Sequence, residues 1–320
     1  MKLKRAVLFI ISAMLVLSAG CTAAEKRPRQ AAKPSIPESI SRGKDKEPAL
    51  KVYIQQTGKV EEMPLEDYVA GTVAGEIKND WPAEALKAQA ILARTYVLDF
   101  VNTKKSKYQG ADISTDFEEA QAWNEANVND RIKKAVKDTR GQAVVYDGKY
   151  IKAWFFSHAG GMTATAKEGL NYKEANPPYI QAVKSPDSTK AKPDDREWTV
   201  KFSKQEVLAA LDKMSAGVKD FGSVKIAAKG PSGRATTLSF DGVPVNAPDF
   251  RIAIGSEKMK STLLENLNFD GSTLTMKGKG FGHGVGMSQW GAYGLAQQGK
   301  SAAEIIKYYF KGVNIVKLWN

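Results

Sequence analysis

The chain has 320 residues and a net charge of +12 at neutral pH, and it contains one cysteine and two histidines. A single cysteine excludes an internal disulfide and the cysteine clusters that bind structural zinc. Two histidines are too few for the usual ligand set of a metal-dependent amidase or peptidase. The length is ample for a hydrophobic core, so the chain is typical of a globular protein.

Residues 1–20 have the pattern of a secretory signal peptide. Three basic residues precede an apolar run over residues 6–17, and small residues then lead directly to Cys21. The run is shorter than a membrane-spanning helix needs. We interpret Cys21 as the lipid-acceptor cysteine of a bacterial lipoprotein, exported and held at the outer face of the cytoplasmic membrane, facing the cell wall. The alternative is an ordinary cleavage site or a signal anchor, since Ser18 stands where such motifs more often carry Leu.

Residues 21–48 are predicted to be a disordered tether. The segment is polar, contains four prolines and carries several basic residues, a composition that cannot bury a core. Without residues 1–20 the chain keeps a net charge of +9, which favours anionic lipid headgroups or anionic wall polymers as partners. Nucleic acid is disfavoured as a partner, because export argues against it and no groove-reading motif is visible.

The first elements of the remaining segment, residues 49–320, follow from local signals. Residues 50–55 alternate apolar and polar side chains as a strand does, and Pro64 suits the first turn of a helix that runs to Glu76. Pro82 can open a second helix. The apolar stripe of that helix, with spacings of four, three and four, consists of Leu86, Ala90, Ala93 and Val97.

Turns and caps mark the later elements. Predicted strands span residues 143–146, 150–156, 198–202, 224–228 and 235–240. Predicted helices span residues 130–139, begin after Ser203 and at Asp249, and cover residues 287–297 and 302–310. Four prolines and many charges are typical of a long surface excursion over residues 170–196. We therefore predict an α+β fold, with mixed helices and mostly antiparallel strands in one elaborated domain or two packed lobes.

Two motifs far apart in the chain carry the candidate chemistry. The first is Leu65-Glu-Asp-Tyr-Val-Ala-Gly-Thr-Val-Ala-Gly-Glu76, which supplies an acid. The second is Gly280-Phe-Gly-His-Gly-Val-Gly-Met-Ser-Gln-Trp-Gly-Ala-Tyr293, a Gly-rich loop around a histidine. Together they suggest one site built from both ends of the domain.

Several segments, taken in order, carry a family resemblance. They are Val73-Ala-Gly-Glu-Ile77, Trp81-Pro-Ala-Glu-Ala-Leu-Lys-Ala-Gln-Ala90, Ala93-Arg-Thr-Tyr96, Ser157-His-Ala-Gly-Gly-Met-Thr163 and the motif that ends at Tyr293. In residues, order and spacing they resemble the SpoIID/LytB family, whose members act on bacterial peptidoglycan. The resemblance covers the chain from about residue 50 to its C-terminus, and the last motif is too long for a chance match.

The resemblance implies a lytic transglycosylase that cuts the bond between N-acetylmuramic acid and N-acetylglucosamine, on peptide-free strands in the sporulation members. The family's catalytic acid corresponds to Glu76, and its site arginine corresponds to Arg94. In such an enzyme the C6 hydroxyl of the muramic acid is the nucleophile, so one carboxyl suffices and the product has a 1,6-anhydro end. A hydrolytic glycosidase normally needs two carboxylates. Glu62, Asp67 and Glu84 are not convincing candidates for the second.

Glu76 needs a raised pKa to act as an acid near neutral pH. Apolar surroundings raise the pKa of lysozyme's catalytic acid to roughly 6. The neighbours Val73, Ala74 and Ile77 would permit the same effect here, and Gly75 leaves room for a sugar to approach. The alternative is an ordinary solvated carboxylate at the end of a helix.

Arg94 and His283 are candidate substrate-binding residues, each with a structural alternative. The planar guanidinium of Arg94 suits a carboxylate such as the lactyl group of a peptide-free muramic acid, or it forms a structural ion pair. His283 lies between glycines, where backbone can pass close to a ligand. Its ring can equally support the loop through hydrogen bonds.

Five further residues are candidates for contact with sugars. Ser288 and Gln289 can bind sugar hydroxyls or can cap the helix that follows them. Ser157 is a candidate in the intervening motif, where Gly160 either brings a backbone N–H towards the glycan or only forms a turn. His158 is a weaker candidate, because the family usually has a small polar residue at that position.

No cofactor and no metal site are predicted. Certain sporulation members of the family carry a Cys and His cluster where this chain has Asp112-Ile-Ser-Thr-Asp-Phe-Glu-Glu-Ala-Gln-Ala-Trp123, a segment without soft ligands. Two histidines far apart and no spare thiol cannot form an ordinary structural zinc site. The sequence therefore predicts that tight zinc binding is absent.

The alternative function belongs to a non-catalytic class. The resemblance also covers amidase enhancers, which bind wall polymer and stimulate a separate hydrolase, here an N-acetylmuramoyl-L-alanine amidase. The basic charge and a lipid anchor suit this function equally well. The complete motif around Glu76 favours the enzyme.

Overall fold

A computed structural model describes residues 32–320 of the chain. The predicted signal peptide and Cys21 lie outside the described residues, so both stay predictions. Within residues 32–320, no helix combines the length and the apolar character that crossing a membrane requires.

Nine α-helices lie in the described part of the chain. Their bounds are α1 Leu65–Glu76, α2 Ala83–Thr103, α3 Asp130–Asp138, α4 Ala166–Leu170, α5 Pro193–Arg196, α6 Lys204–Lys213, α7 Ala247–Ile254, α8 Gln289–Gln297 and α9 Ala302–Tyr309. Helices α6 and α9 begin at capping boxes, in which Ser203 pairs with Glu206 and Ser301 pairs with Glu304. These caps satisfy backbone N–H groups that the first helical turn leaves unpaired.

Fourteen strands of the described residues form five small sheets. Their bounds are β1 Ala49–Ile54, β2 Lys59–Pro64, β3 Ile113–Ser114, β4 Gln142–Tyr146, β5 Lys149–Tyr150, β6 Phe155–Phe156, β7 Glu197–Ser203, β8 Val224–Lys229, β9 Ala235–Phe240, β10 Val243–Asn246, β11 Leu264–Phe269, β12 Thr273–Lys279, β13 Met287–Ser288 and β14 Asn314–Lys317. The sheet orders are β2-β1-β3, β5-β4-β14, β6-β13, β7-β12-β11 and β8-β9-β10. All pairings are antiparallel except β1 with β3 and β6 with β13. The predicted α+β class is confirmed.

Two hydrophobic cores share one compact unit. The main core contains α1, α2, α8 and α9 together with strands β1 and β4. The second core lies between strands β7–β12 and helices α6 and α7. The chain enters the second core at Glu197 and leaves it at Lys279, and these two residues are paired neighbours in β7 and β12. The second core is therefore an insertion between two parts of the main core.

The predicted elements are largely present, but several strands and the short helices α4 and α5 were not predicted. Helix α2 buries its predicted apolar stripe, whose four residues are each at most 1 % exposed. The strand predicted over residues 150–156 is two strands, because its ends pair in different sheets. Strands β10–β12 and β14 are not among the predicted elements. The Asp241-Gly242 turn before β10 and the Asp270-Gly271 turn between β11 and β12 are hairpin signals that could have identified three of them.

Part of the predicted tether packs against the main core. Ile40 is 2 % exposed, and the Tyr150 hydroxyl donates a hydrogen bond to the Ser35 carbonyl oxygen over 3.1 Å. Ile36 also packs on this core, so these two isoleucines bury apolar surface that the polar composition of the segment conceals. Residues 35–40 therefore contact the main core, and the boundary expected at residue 49 stays a prediction.

A buried ion pair joins α1 to α2. Arg94 is fully buried, and its Nε and Nη2 donate to the Glu66 carboxylate at distances of 2.5 to 3.2 Å. Glu66 Oε1 also accepts from the Gly141 N–H at 3.0 Å and from the Trp319 indole N–H at 3.1 Å. Arg94 Nη1 donates to the Gln142 carbonyl oxygen at 3.0 Å. One carboxylate thus connects four distant segments of the main core.

We predict that Glu66→Gln lowers the free energy of unfolding by about 3–5 kcal/mol, because it leaves the Arg94 charge buried without its counter-charge. Urea denaturation followed by tryptophan fluorescence measures this change. Lys134→Gln is the matched control, since it removes an exposed ion pair with Asp138 in α3 and should cost less than about 1 kcal/mol. Equal losses in the two variants would contradict the structural role of the buried pair.

Candidate active site

Glu76 is positioned by the buried face of α1, which it terminates. Tyr68, Val69 and Val73 on that face are completely buried in the main core. The helix ends because Ile77 adopts an extended backbone, with φ of −136° and ψ of 162°. The carboxyl group therefore projects from the end of a helix whose rotation is fixed by packing.

Two glycines bring a second segment against α1. A Cβ on Gly75 would lie 2.6 Å from backbone atoms of Ala122 and Trp123, and a Cβ on Gly71 would lie 2.1 Å from the Trp123 indole nitrogen. A hydrogen bond stabilises this close approach: the Asn124 N–H donates to the Gly71 carbonyl oxygen at 2.9 Å. Protein backbone thus occupies the position that a side chain on Gly75 would take, while Gly75 itself stays exposed beside Glu76.

The Glu76 carboxyl is half-buried and accepts two hydrogen bonds. Oε1 accepts from the Ala122 backbone N–H at 2.8 Å, and Oε2 accepts from Gln289 Nε2 at 3.2 Å. Burial raises the pKa of Glu76 to about 7, and this effect outweighs the two hydrogen bonds, which favour the ionised form and lower the pKa. A carboxyl of this kind can donate a proton and take one back near neutral pH.

A cleft of about 500 Å³ opens beside Glu76. The indole rings of Trp81 and Trp290 line it, with centroids 4.6 Å apart and planes inclined by 49°. Both rings are buried, so they give this wall of the cleft a fixed shape. The charged side chains that line the cleft besides Glu76 are Lys78, Asp80, Lys192 and Asp195.

The Gly-rich loop reaches the same cleft through a short parallel pairing. Met287 and Ser288 in β13 pair with Phe155 and Phe156 in β6. Gly286 before them has a φ of +82°, and a Cβ there would lie 2.0 Å from the Trp154 carbonyl oxygen. Only glycine fits this turn. The two motifs predicted to share one site therefore meet in the fold.

Gln289 and Ser157 line the cleft, whereas Ser288 does not. Ser288 is completely buried, and its Oγ accepts from the Gly291 N–H at 3.2 Å as the N-cap of α8. The same hydroxyl donates to Asp187 Oδ1 at 2.6 Å. Of the two roles left open for Ser288, helix capping is the one that the structure has.

His283 supports the Gly-rich loop. Its Nδ1 accepts from the Val285 N–H at 3.0 Å, and its ring packs on Phe156 with centroids 5.6 Å apart. Burial, followed by the nearby positive charge of Arg251, lowers the pKa of His283 to about 3, so the ring is neutral at neutral pH. His283 is not among the residues that line the cleft. The supporting role, rather than direct contact with substrate, fits this geometry.

Arg94, Gly160 and His158 lie outside the cleft of Glu76. Arg94 is enclosed in its ion pair with Glu66, so the predicted contact with a glycan carboxylate does not fit its position. Gly160 and His158 line a second cleft, where the Gly160 N–H donates to His158 Nδ1 at 3.1 Å. Burial lowers the pKa of His158 and favours its neutral form.

Residues without a predicted role complete the cleft. Lys192 and Asp195 come from the segment that was expected to be a surface excursion, and Asp195 forms an ion pair with Lys260 at 3.1 Å. No local pattern distinguishes these residues, because only the fold brings them to Glu76. Trp81 and Trp290 belong to the motif segments at residues 81–90 and 280–293, and their aromatic character could have identified them as cleft residues.

The carboxylates of the cleft do not form a metal centre. Among residues 32–320, no group of three or more His, Cys, Asp or Glu side chains is arranged to hold a metal ion. The predicted absence of tight zinc binding remains a prediction for the whole chain.

Comparisons with known proteins agree with the motifs. Residues 53–146 match the family model SpoIID, described as stage II sporulation protein. Stage II sporulation protein D of Bacillus amyloliquefaciens is 34 % identical over 297 residues, which cover 87 % of this chain and 83 % of that protein. An uncharacterised protein of Brachyspira hyodysenteriae (strain ATCC 49526 / WA1) is 36 % identical over 265 residues, covering 80 % of this chain and 68 % of that protein.

A third relative has a different description. An amidase enhancer of Bacillus subtilis (strain 168) is 29 % identical over 297 residues, which cover 77 % of this chain and 40 % of the enhancer. The match to stage II sporulation protein D extends over most of both chains. On this extent of similarity, the chain belongs to the SpoIID family.

Proposed function

We propose that the protein is a peptidoglycan lytic transglycosylase that cleaves the bond between N-acetylmuramic acid and N-acetylglucosamine in peptide-free glycan strands. The observation that carries the proposal is Glu76, one carboxyl with a pKa of about 7 held by two donors at an open cleft. Membership of the family, with an amidase enhancer among the relatives, supports action at the cell wall.

In the proposed reaction Glu76 starts protonated. It gives its proton to the glycosidic oxygen while the bond between that oxygen and C1 of the muramic acid breaks. The C6 hydroxyl oxygen of the same muramic acid bonds to C1, and its proton passes to the ionised Glu76. The products are a 1,6-anhydro-muramic acid end and an N-acetylglucosamine hydroxyl, and no water is consumed. Glu76 is protonated again at the end, so one carboxyl completes the cycle.

The surroundings of Glu76 suit both halves of this cycle. Burial keeps the carboxyl protonated near neutral pH, while the Ala122 N–H and the Gln289 amide stabilise the carboxylate that forms midway. Trp81 and Trp290 expose only 5 % and 7 % of their surface, so they form a rigid wall of the cleft beside Glu76.

Hydrolysis is the alternative chemistry, because Asp80 and Asp195 also line the cleft. Asp195 is engaged by Lys260, and Asp80 is exposed to solvent, so neither shares the buried setting of Glu76. The alternative function is a non-catalytic amidase enhancer, favoured by the relative of that description and by the basic charge. In either case an N-acetylmuramoyl-L-alanine amidase is the proposed partner.

We predict that Glu76→Gln lowers glycan cleavage by about 10²–10⁴-fold, because the amide cannot donate a proton to the leaving oxygen. The purified full chain is incubated with peptide-free strands, and the products are identified by mass spectrometry. Products with 1,6-anhydro-muramic acid ends are expected from the unchanged protein alone.

Two carboxylate variants control this experiment. Asp67→Asn removes an exposed charge from α1 and should leave the rate unchanged, and Asp195→Asn should still yield anhydro ends. Reducing ends that carry an added water, and that are lost in Asp195→Asn, would establish hydrolysis instead. Intact strands with binding retained would favour the amidase enhancer.

We predict that kcat/KM is flat below about pH 6 and falls tenfold per unit above about pH 7, because Glu76 must be protonated at the start and its pKa is about 7. Gln289→Leu should move the falling limb to higher pH, since Gln289 donates to the ionised form and lowers the pKa. Initial rates across pH 5–9 measure both effects. A limb that rises with pH through this range would contradict Glu76 as the acid.

We infer further that the protein is exported and anchored by a lipid on Cys21 at the outer face of the cytoplasmic membrane. The sequence of residues 1–20 and the basic charge of the chain support this location. The intact mass of the membrane fraction should correspond to a chain that begins at Cys21 and carries added lipid, with no lipid on a Cys21→Ala form. The same mass for the two forms, apart from the substitution, would contradict the anchor.

A further inference from the structure

A second cleft of about 730 Å³ lies next to the cleft of Glu76. Consecutive residues face the two clefts: Ser157 lines the first and His158 the second, while Asp195 lines the first and Arg196 the second. Because consecutive Cα atoms are about 3.8 Å apart, the rim between the clefts is one residue thick. A polymer that lies in the first cleft reaches the second as soon as it crosses this rim.

Arg196 distinguishes the second cleft. Six of the seven arginines in residues 32–320 donate side-chain hydrogen bonds to carboxylate or carbonyl oxygens. Within that range, the Arg196 guanidinium has no hydrogen bond and no ion pair, and its Nε is buried without an acceptor. An unpaired buried donor is costly, and the cost disappears when a ligand supplies the acceptor.

The other ionisable groups of the second cleft are already engaged. Lys279 pairs with Glu265 and lies 3.8 Å from Glu197. Asp187 accepts from two serine hydroxyls, at 2.9 Å and 2.6 Å, and its side chain is 5 % exposed. Arg196 is therefore the charge that this cleft can offer to a ligand.

We propose that Arg196 in the second cleft binds the lactyl carboxylate of a muramic acid on the same strand, beyond the residue that is cleaved at Glu76. This inference rests on the proposed function, since it takes a glycan strand as the occupant. A planar guanidinium binds a carboxylate through two parallel hydrogen bonds. Where a stem peptide is attached, the lactyl group is an amide and has no charge. The second cleft thereby selects strands whose peptides have been removed.

Equilibrium binding tests the inference. The full chain carrying Glu76→Gln, which keeps strands intact, is titrated with peptide-free strands and with the same strands after their lactyl carboxyls are converted to neutral methylamides. Neutralisation should weaken binding about tenfold, as expected for one charge-assisted pair. Adding Arg196→Gln should weaken binding to peptide-free strands by about the same factor and leave binding to neutral strands unchanged. Arg196→Lys should recover part of the loss.

Lys307→Gln is the matched control, because it removes one exposed positive charge on α9 that lines neither cleft. It should leave binding unchanged. Near-ultraviolet circular dichroism checks that each variant is folded, and the comparison of charged with neutral strands needs no substitution at Arg196.

Three outcomes would overturn the inference. Equal binding of charged and neutral strands would exclude carboxylate recognition, and a tenfold preference that persists in Arg196→Gln would place that recognition elsewhere. Peptide-bearing strands that bind as tightly as peptide-free strands would assign the site to a stem-peptide carboxylate. Because binding is measured without cleavage, a failure of the proposed enzyme activity would show only in the product analysis.

Discussion

The buried pair of Glu66 and Arg94 is the constraint on which the position of the candidate acid depends. Glu66 lies in the first turn of α1 and Glu76 ends the helix, so the pair anchors one end of the element whose other end carries the candidate acid. Two charges removed from water are tolerated only when their remaining donors and acceptors are satisfied. Here the Gly141 N–H and the Trp319 indole N–H donate further hydrogen bonds to the Glu66 carboxylate. Any shift of α1 would break this arrangement.

The pKa of Glu76 results from two opposing effects, of which burial is the larger. Burial alone would hold the carboxyl protonated, and full solvation would return its pKa to 4.5, where it is a poor acid at neutral pH. The backbone N–H of Ala122 and the amide of Gln289 offset part of the burial. Both donors depend on close packing, the first on the missing side chain of Gly75 and the second on the turn at Gly286. The glycines at positions 75 and 286 therefore influence the pKa of Glu76, because they allow the two hydrogen-bond donors to approach its carboxyl group.

The sequence predicts the features that depend on local signals. Prolines located α1 and α2, and a capping residue located α6, because these signals act within one helical turn. The residue types and spacing of the two motifs identified Glu76 and Gln289 as candidate site residues. Arg94 shows the limit: its planar fork fits a ligand carboxylate or a protein carboxylate equally well, and only its complete burial against Glu66 decides between them. The sequence could not predict that Asp195 lines the cleft, because this position depends on how chain segments far apart pack together.

The distance along the chain between the acid and its amide partner has a consequence for the order of events during synthesis. Glu76 and Gln289 are 213 positions apart, and the whole second core is made between them. A chain that is synthesised from its N-terminus contains α1 early and receives α8 near the end. Nascent chains and fragments cut before the Gly-rich loop carry the carboxyl without its cleft. The site is thus present only in chains that contain both α1 and α8, and degradation products that lack either helix cannot form it.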